Sequence, residues 1–256
     1  DALPIFYWTE GADVRAARLD GTGMVVVAAG VSQQNYPIGV AVDVTAGKIY
    51  WADNVTDAIS RANLDGSGRE EIYRNTTDPL SNCAGIAVDH AAGKIFWTEQ
   101  GTGPVRAAAL DGTSATTIYT GQFPTAVAAA NGTLLFTDNG DDSMKGGNYT
   151  GSASAPLTLS SDAFSNPTAV ALDGDDVYWA QAGGIYRMKS DGSARTLVAT
   201  AEYPGGVAIE PTSHRVYFTD NANDTVAYVN ADGSGRTVVY QSSDAFSNPR
   251  GVAIRP

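Results

Sequence analysis

Three short motifs recur along the chain, and that self-similarity constrains the fold more than any other feature of the sequence. An aromatic motif reads YWTE at 7–10, YWAD at 50–53, FWTE at 96–99, LFTD at 135–138, YWAQ at 178–181 and YFTD at 217–220, six copies 39 to 46 residues apart. Each copy is accompanied by a small-residue motif: PIGVAVD at 37–43, CAGIAVD at 83–89, PTAVAAA at 124–130, PTAVALD at 167–173, PGGVAIE at 204–210 and PRGVAIR at 249–255. An Asp-Gly pair follows the aromatic motif in five units, and the fourth unit has Thr150-Gly151 in its place.

Each unit reads as four short strands. In the second they are roughly GVAVD, KIYWA, ISRANL and REEIY, β-branched and aromatic runs separated by Gly and Asp turn residues. Six such units predict an all-β fold, a six-bladed β-propeller with four antiparallel strands per blade. The small residues of the first strand suit the crowded axis, and the bulky aromatics of the second fill the space between blades. Because the sequence stops after a first strand, PRGVAIRP, and starts with a second, PIFYWTE, one C-terminal strand plus three N-terminal strands are expected to complete a blade. That pairing closes the ring and makes residues 1–256 a single domain without open sheet edges. Composition agrees, since 43% hydrophobic content with 28 Gly and 11 Pro suits many short strands and tight turns. No apolar run reaches the roughly 18 residues of a membrane-spanning helix, so no transmembrane segment is expected.

The stretch VDVTAGKIYWADNVTDAISRANLDGSGREEIY at 42–73 resembles the YWTD repeats of the low-density lipoprotein receptor family, which also occur in nidogen and the Wnt co-receptors. The resemblance covers essentially the whole chain, with degenerate aromatic motifs in units four and five (LFTD, YWAQ). It implies a structural hydrogen-bonding role for the last letter of that motif. It also implies that the working face is the one around the channel mouth, where propellers of this family commonly bind extended peptide segments.

In such a blade, loops between second and third strands share one face with the connections between blades. The octapeptide SSDAFSNP, present at 160–167 and again at 242–249, is one such connection. The residue before each small-residue motif alternates around the ring as Tyr36, Asn82, Phe123, Asn166, Tyr203 and Asn248, which points to a blade pair used three times. These six residues, with Arg250 from the closing strand, are expected to form a pocket floor of flat surfaces and amide groups suited to an amide- or hydroxyl-bearing ligand. Half of the 28 acids fall on loops of this face, against only Arg74, Lys145 and Arg250. Asp57, Asp142 and Asp224 represent the acidic rim that would attract cationic groups.

The function expected from these features is a non-catalytic binding module for a peptide or protein segment, or for another small polar or cationic ligand. Two alternatives stay open: a calcium-dependent lactonase- or hydrolase-like propeller using Asn82, Asn166 and Asn248 with nearby acids, and a saccharide-binding propeller. No catalytic residues, metal ligands or cofactor are assigned. His90 and His214 fall in turns of the opposite face, and Cys83 reads as a buried structural thiol. The net charge of −12 argues against nucleic acid as a partner. Sequons at Asn54, Asn75, Asn131, Asn148 and Asn223 favour a secreted or extracellular chain, expected to act as a monomer.

Overall fold

A computed structural model describes residues 4–30, 37–77, 81–101, 103–149, 157–159, 165–243 and 248–255. Its strands form six four-stranded antiparallel sheets, each ordered from the axis outward as first to fourth strand. Blade 2 is typical, with strands Pro37–Asp43, Lys48–Asp53, Ala58–Asn63 and Glu70–Arg74. Blade 1 is the composite one: Val252–Arg255 pairs antiparallel with Ile5–Glu10, setting Trp8 opposite Val252 and Ile5 opposite Arg255. The expected closure of the ring by both chain ends is therefore present.

The small residues of the first strand answer to crowding. A Cβ on Gly251 would lie 2.3 Å from the carbonyl oxygen of Ile38 in the next blade, and one on Gly206 would lie 2.4 Å from that of Arg250. Near that point the inner strands of blades 2, 3, 4 and 6 slip register against their second strands, for example between Cys83 and Ile86. The slip leaves backbone groups that the ladder cannot satisfy, and where the third letter of the aromatic motif is threonine its hydroxyl satisfies them, whereas blade 2 has Ala52 there. Thr98 Oγ1 accepts from the Gly85 amide at 2.9 Å and donates to the Thr125 carbonyl of the next blade at 3.0 Å. Thr9 repeats the arrangement with Gly251 and Ile38. One hydroxyl thus joins two blades.

Aromatic side chains of the second strands are wholly buried, among them Trp8, Trp51, Trp97, Trp179, Tyr7, Tyr50 and Tyr217. Their packing spans the joints, since Tyr7 of blade 1 sits in one cluster with Val40, Ile49 and Trp51 of blade 2. Farther out, the Asp-Gly turns cap the neighbouring sheet. Asp65 Oδ1 accepts from the Ser67 amide at 2.9 Å, which folds the turn, and Gly66 takes a φ of 86°. Gly66 then lies so close to the outer strand of blade 1 that a Cβ would come 2.0 Å from Val27 O. Gly21 and Gly112 meet Val239 and Ile72 in the same way, so each of these outer strands is covered by the following blade.

Candidate functional site

At the channel mouth the loops between blades meet the loops between second and third strands, and together they wall a cavity of about 540 Å³. Asn54, Gln100, Asn139, Asn166 and Asn221 supply carboxamides to its lining, Thr125 and Thr168 hydroxyls, and Tyr203 and Arg250 the largest side chains. Below it the first strands converge on a constriction of only about 60 Å³, lined by Gly39, Gly85, Gly206, Gly251 and their apolar neighbours. The floor is thus formed by the first strands themselves, and the ring expected from the sequence contributes wall and rim.

The expected site residues separate into four groups that partly overlap. Asn166, Tyr203 and Arg250 line the cavity. Phe123 and Tyr203 stand on the rim, 41% and 64% exposed. Tyr36, residues 160–164 and 244–247 of the two octapeptide copies, and Asp78 lie outside the described residues. The remaining residues serve the joints between blades. The Asn82 amide donates to Asp57 Oδ1 at 2.5 Å, that of Asn166 to Asp142 Oδ1 at 2.8 Å, and that of Asn248 to Asp224 Oδ1 at 3.1 Å. All six residues have φ between 45° and 54°, the left-handed region that Asn and Asp tolerate better than other side chains. The blade-pair pattern is therefore present in the backbone itself.

Six polar cavity residues, Asn54, Gln100, Thr125, Asn139, Thr168 and Asn221, escaped the sequence reading. Asn54, Asn139 and Asn221 directly follow the aromatic motif in blades 2, 4 and 6, whereas Gly11, Gln100 and Ala182 hold that place in blades 1, 3 and 5. The signal was the alternation one position past the motif. Backbone amides hold Asn139 and Asn221 in place, each donating to the carbonyl of the rim aromatic, Phe123 at 3.0 Å and Tyr203 at 2.9 Å. Their Oδ1 atoms are shielded from solvent and have no hydrogen-bond partner among the described residues.

Charge on this face is more balanced than the sequence suggested. Arg15 and Arg106, on third strands, reach Glu10 and Glu99 at 3.6 and 2.7 Å, and Arg236 comes within 3.9 Å of Asp220. The last letters of the aromatic motif are buried and occupied. Glu99 accepts from Trp97 Nε1 at 3.1 Å, Tyr73 OH at 3.2 Å and Asn75 Nδ2 at 3.1 Å. Burial, and then the Glu99 carboxylate, push the Tyr73 hydroxyl up to about 12. Asp138 accepts from the amides of Gln122 and Phe123, both at 2.8 Å, and pairs with Lys145 at 2.9 Å. Cys83 is buried, and desolvation raises its thiol well above the ordinary range. His90 and His214 are exposed on the opposite face, each against an aspartate of the preceding blade, Asp43 at 2.8 Å and Asp173 at 2.6 Å. Among the described residues no three His, Cys, Asp or Glu side chains are arranged to hold a metal ion.

Fold and repeat chemistry together define the class, a six-bladed β-propeller built from YWTD-type repeats. Residues 47–90, about one repeat of the six, match the family model described as low-density lipoprotein receptor repeat class B. It is 42% identical over 71 residues to human low-density lipoprotein receptor-related protein 4, an alignment covering 26% of this chain and 4% of that protein. A low-density lipoprotein receptor-related protein 1 of Pyricularia oryzae is 32% identical over 78 residues, 27% of this chain and 25% of its own length. The chain thus corresponds to a small part of these relatives. A chain from the crystal structure of a nidogen/laminin complex superposes with a TM-score of 0.87 over 98% of both chains at 20% identity, a likeness of fold.

Proposed function

We propose that the channel mouth is a non-catalytic binding site for an extended peptide or protein segment, on a chain that works outside the cell as a monomer. The observation that carries this reading is the cavity itself. It is closed below by the first strands and walled by the carboxamides of Asn54, Gln100, Asn139, Asn166 and Asn221 beside the exposed ring of Tyr203. Such a wall offers hydrogen bonds to amide or hydroxyl groups, and the ring offers a flat apolar surface. The likeness to a propeller taken from a two-protein complex supports the same class of partner. A calcium-dependent enzyme would need free carboxylates around the channel, and Asp53, Asp57 and Asp138 are instead buried acceptors of backbone amides.

The test is selection of a random peptide library on the immobilised protein, with Tyr203→Ala and Asn221→Ala as paired controls and light scattering to give the mass in solution. Peptides enriched on the native protein should lose affinity for both variants while the melting temperatures stay within about 2 °C, as expected of side chains outside the core. Enrichment that survives both substitutions would place binding elsewhere and sink the proposal.

A further inference from the structure

A second cavity, of about 450 Å³, opens between the outer strands of blades 6 and 1, well outside the channel. Its walls include Glu10, Asp13 and Arg15 of blade 1, Met24 at the start of the outer strand of that blade, and Tyr240 and Gln241 of blade 6. Arg15 is loosely held there. Its Nε is shielded from solvent and has no hydrogen-bond partner among the described residues, with Glu10 Oε2 at 3.6 Å. The two terminal nitrogens reach Tyr240 OH at 3.5 Å and Asp13 Oδ2 at 3.4 Å. The corresponding arginine of blade 3, Arg106, bonds Glu99 through Nε at 2.7 Å. Glu10 is already engaged, accepting from Trp8 Nε1 at 2.7 Å and Tyr240 OH at 2.9 Å. A guanidinium with five donors therefore faces a cavity with more hydrogen bonds to give than it has acceptors. Met24, 49% exposed, offers an apolar wall beside it.

We propose that this cleft is a second peptide subsite, which takes an apolar side chain against Met24 and the Tyr240 ring while Arg15 donates to the adjoining backbone carbonyl. A neutral carbonyl fits better than a carboxylate, because Glu10 and Asp13 already flank Arg15 with negative charge. The occupant's identity as a peptide rests on the reading of the channel mouth given above. Geometry links the two sites. The Arg250 amide donates to Thr9 O, and the neighbouring Trp8 pairs with Arg15 across the blade. Two strand spacings, about 10 Å, separate Arg250 from Arg15, a span of roughly three residues of extended peptide.

Met24 is also the reporter. Of the three methionines it alone is exposed, Met144 and Met188 being 0% and 3% accessible. The protein labelled with 13C in its methionine methyls should be titrated with N-acetyl-leucine N-methylamide, with the glycine analogue and free N-acetyl-leucine as comparisons. The leucine amide should shift the Met24 resonance saturably at about millimolar concentration, leaving Met144 and Met188 in place. Arg15→Lys, checked for an unchanged melt, should weaken that titration about three- to tenfold through loss of the guanidinium donors. Tyr203→Ala should not alter it, which separates this subsite from failure at the channel mouth. Absence of a saturable Met24 shift, an equal response to the glycine amide, tighter binding of the free carboxylate, indifference to Arg15→Lys, or loss in Tyr203→Ala would each overturn the proposal.

Discussion

Replacing the tryptophan of the aromatic motif by phenylalanine should have different consequences in different blades, and the reason is one methylene. In blades 1, 3 and 5 the indole Nε1 bonds the side chain two residues later, Glu10 at 2.7 Å, Glu99 at 3.1 Å and Gln181 at 2.8 Å. Blade 2 keeps the tryptophan but has Asp53 in that place, whose Oδ1 caps its own loop by accepting from the Val55 and Thr56 amides. Trp51 Nε1 is left buried without a hydrogen-bond partner among the described residues. Blades 4 and 6 combine Phe136 with Asp138 and Phe218 with Asp220. Trp8, Trp51 and Trp97 are all fully buried, so the loss of ring volume costs a similar amount at each site. The hydrogen bond does not. Trp8→Phe or Trp97→Phe removes a bond to a carboxylate, about 1.5–3 kcal/mol, whereas Trp51→Phe removes an unsatisfied donor that itself costs about 1–3 kcal/mol. Trp51→Phe should therefore be the milder change by about 2.5–6 kcal/mol, or roughly 5–24 °C in melting temperature for a chain of this size. The cation over the ring does not spoil the comparison, since Arg69 lies 5.5 Å from Trp51 and Arg236 lies 5.4 Å from Phe218. Differential scanning calorimetry of the three variants decides the matter, and equal losses would refute the hydrogen-bond account.

Gly66→Ala should cost about 2 kcal/mol or more, because it adds a clash with Val27 O to the strain of a left-handed residue; Gly47→Ala, with the same hand of φ but open space, should cost only about 1–2 kcal/mol. Denaturant titration of the pair measures the difference. Burial alone would raise the Asp138 carboxyl, but Lys145 and the amides of Phe123, Gln122 and Gly140 outweigh it and hold it below its ordinary 3.8. A depressed carboxyl stabilises above the unfolded value and loses that contribution as pH falls through the folded one, so the penalty of Asp138→Asn at pH 7 should shrink below about pH 4. A penalty independent of pH would count against the ion pair. Deleting residues 249–256 should broaden the thermal transition by removing the strand that closes blade 1, and a sharp, unshifted melt would show that the closure is dispensable.

Fold and site differed in how far the sequence revealed them. Strand count, blade order and closure follow from hydrophobic and turn residues that recur six times, and each repeat tests the others. The cavity wall does not recur in that way. Asn54, Asn139 and Asn221 stand one position beyond a motif whose last letter is an acid, where only the comparison of alternate blades marks them out. Charge was misjudged for a geometric reason. Arg15 and Arg106 look like ordinary polar positions of third strands, yet they sit opposite Trp8 and Trp97, and their side chains reach the acids at the strand ends. Nor does one-dimensional reading show that Asp57, Asp142 and Asp224 turn inward to hold an amide 24 or 25 residues away.

The alternation also explains why identical loop sequences can recur without a shared ligand. Asn166 and Asn248, near the ends of the two SSDAFSNP copies, take left-handed φ values of 47° and 45° directly before a proline. A proline disfavours the right-handed helical region for the residue before it, and asparagine is the side chain most at ease in the left-handed one. An aspartate of the preceding loop then receives the amide, so both junctions make the same demand on the same residue. At the Phe123 and Tyr203 junctions the demand falls on the backbone alone. The amides of Phe123 and Tyr203 donate to Asp138 Oδ1 at 2.8 Å and Asp220 Oδ1 at 3.4 Å, which leaves their rings exposed at the rim. Scaffold duties at the mouth are therefore met by aspartates, glycines and three asparagine amides. The rings of Phe123 and Tyr203 and the carboxamides of Asn139 and Asn221 stand outside those duties, so substitutions there should leave the ring folded and test the proposed binding site directly.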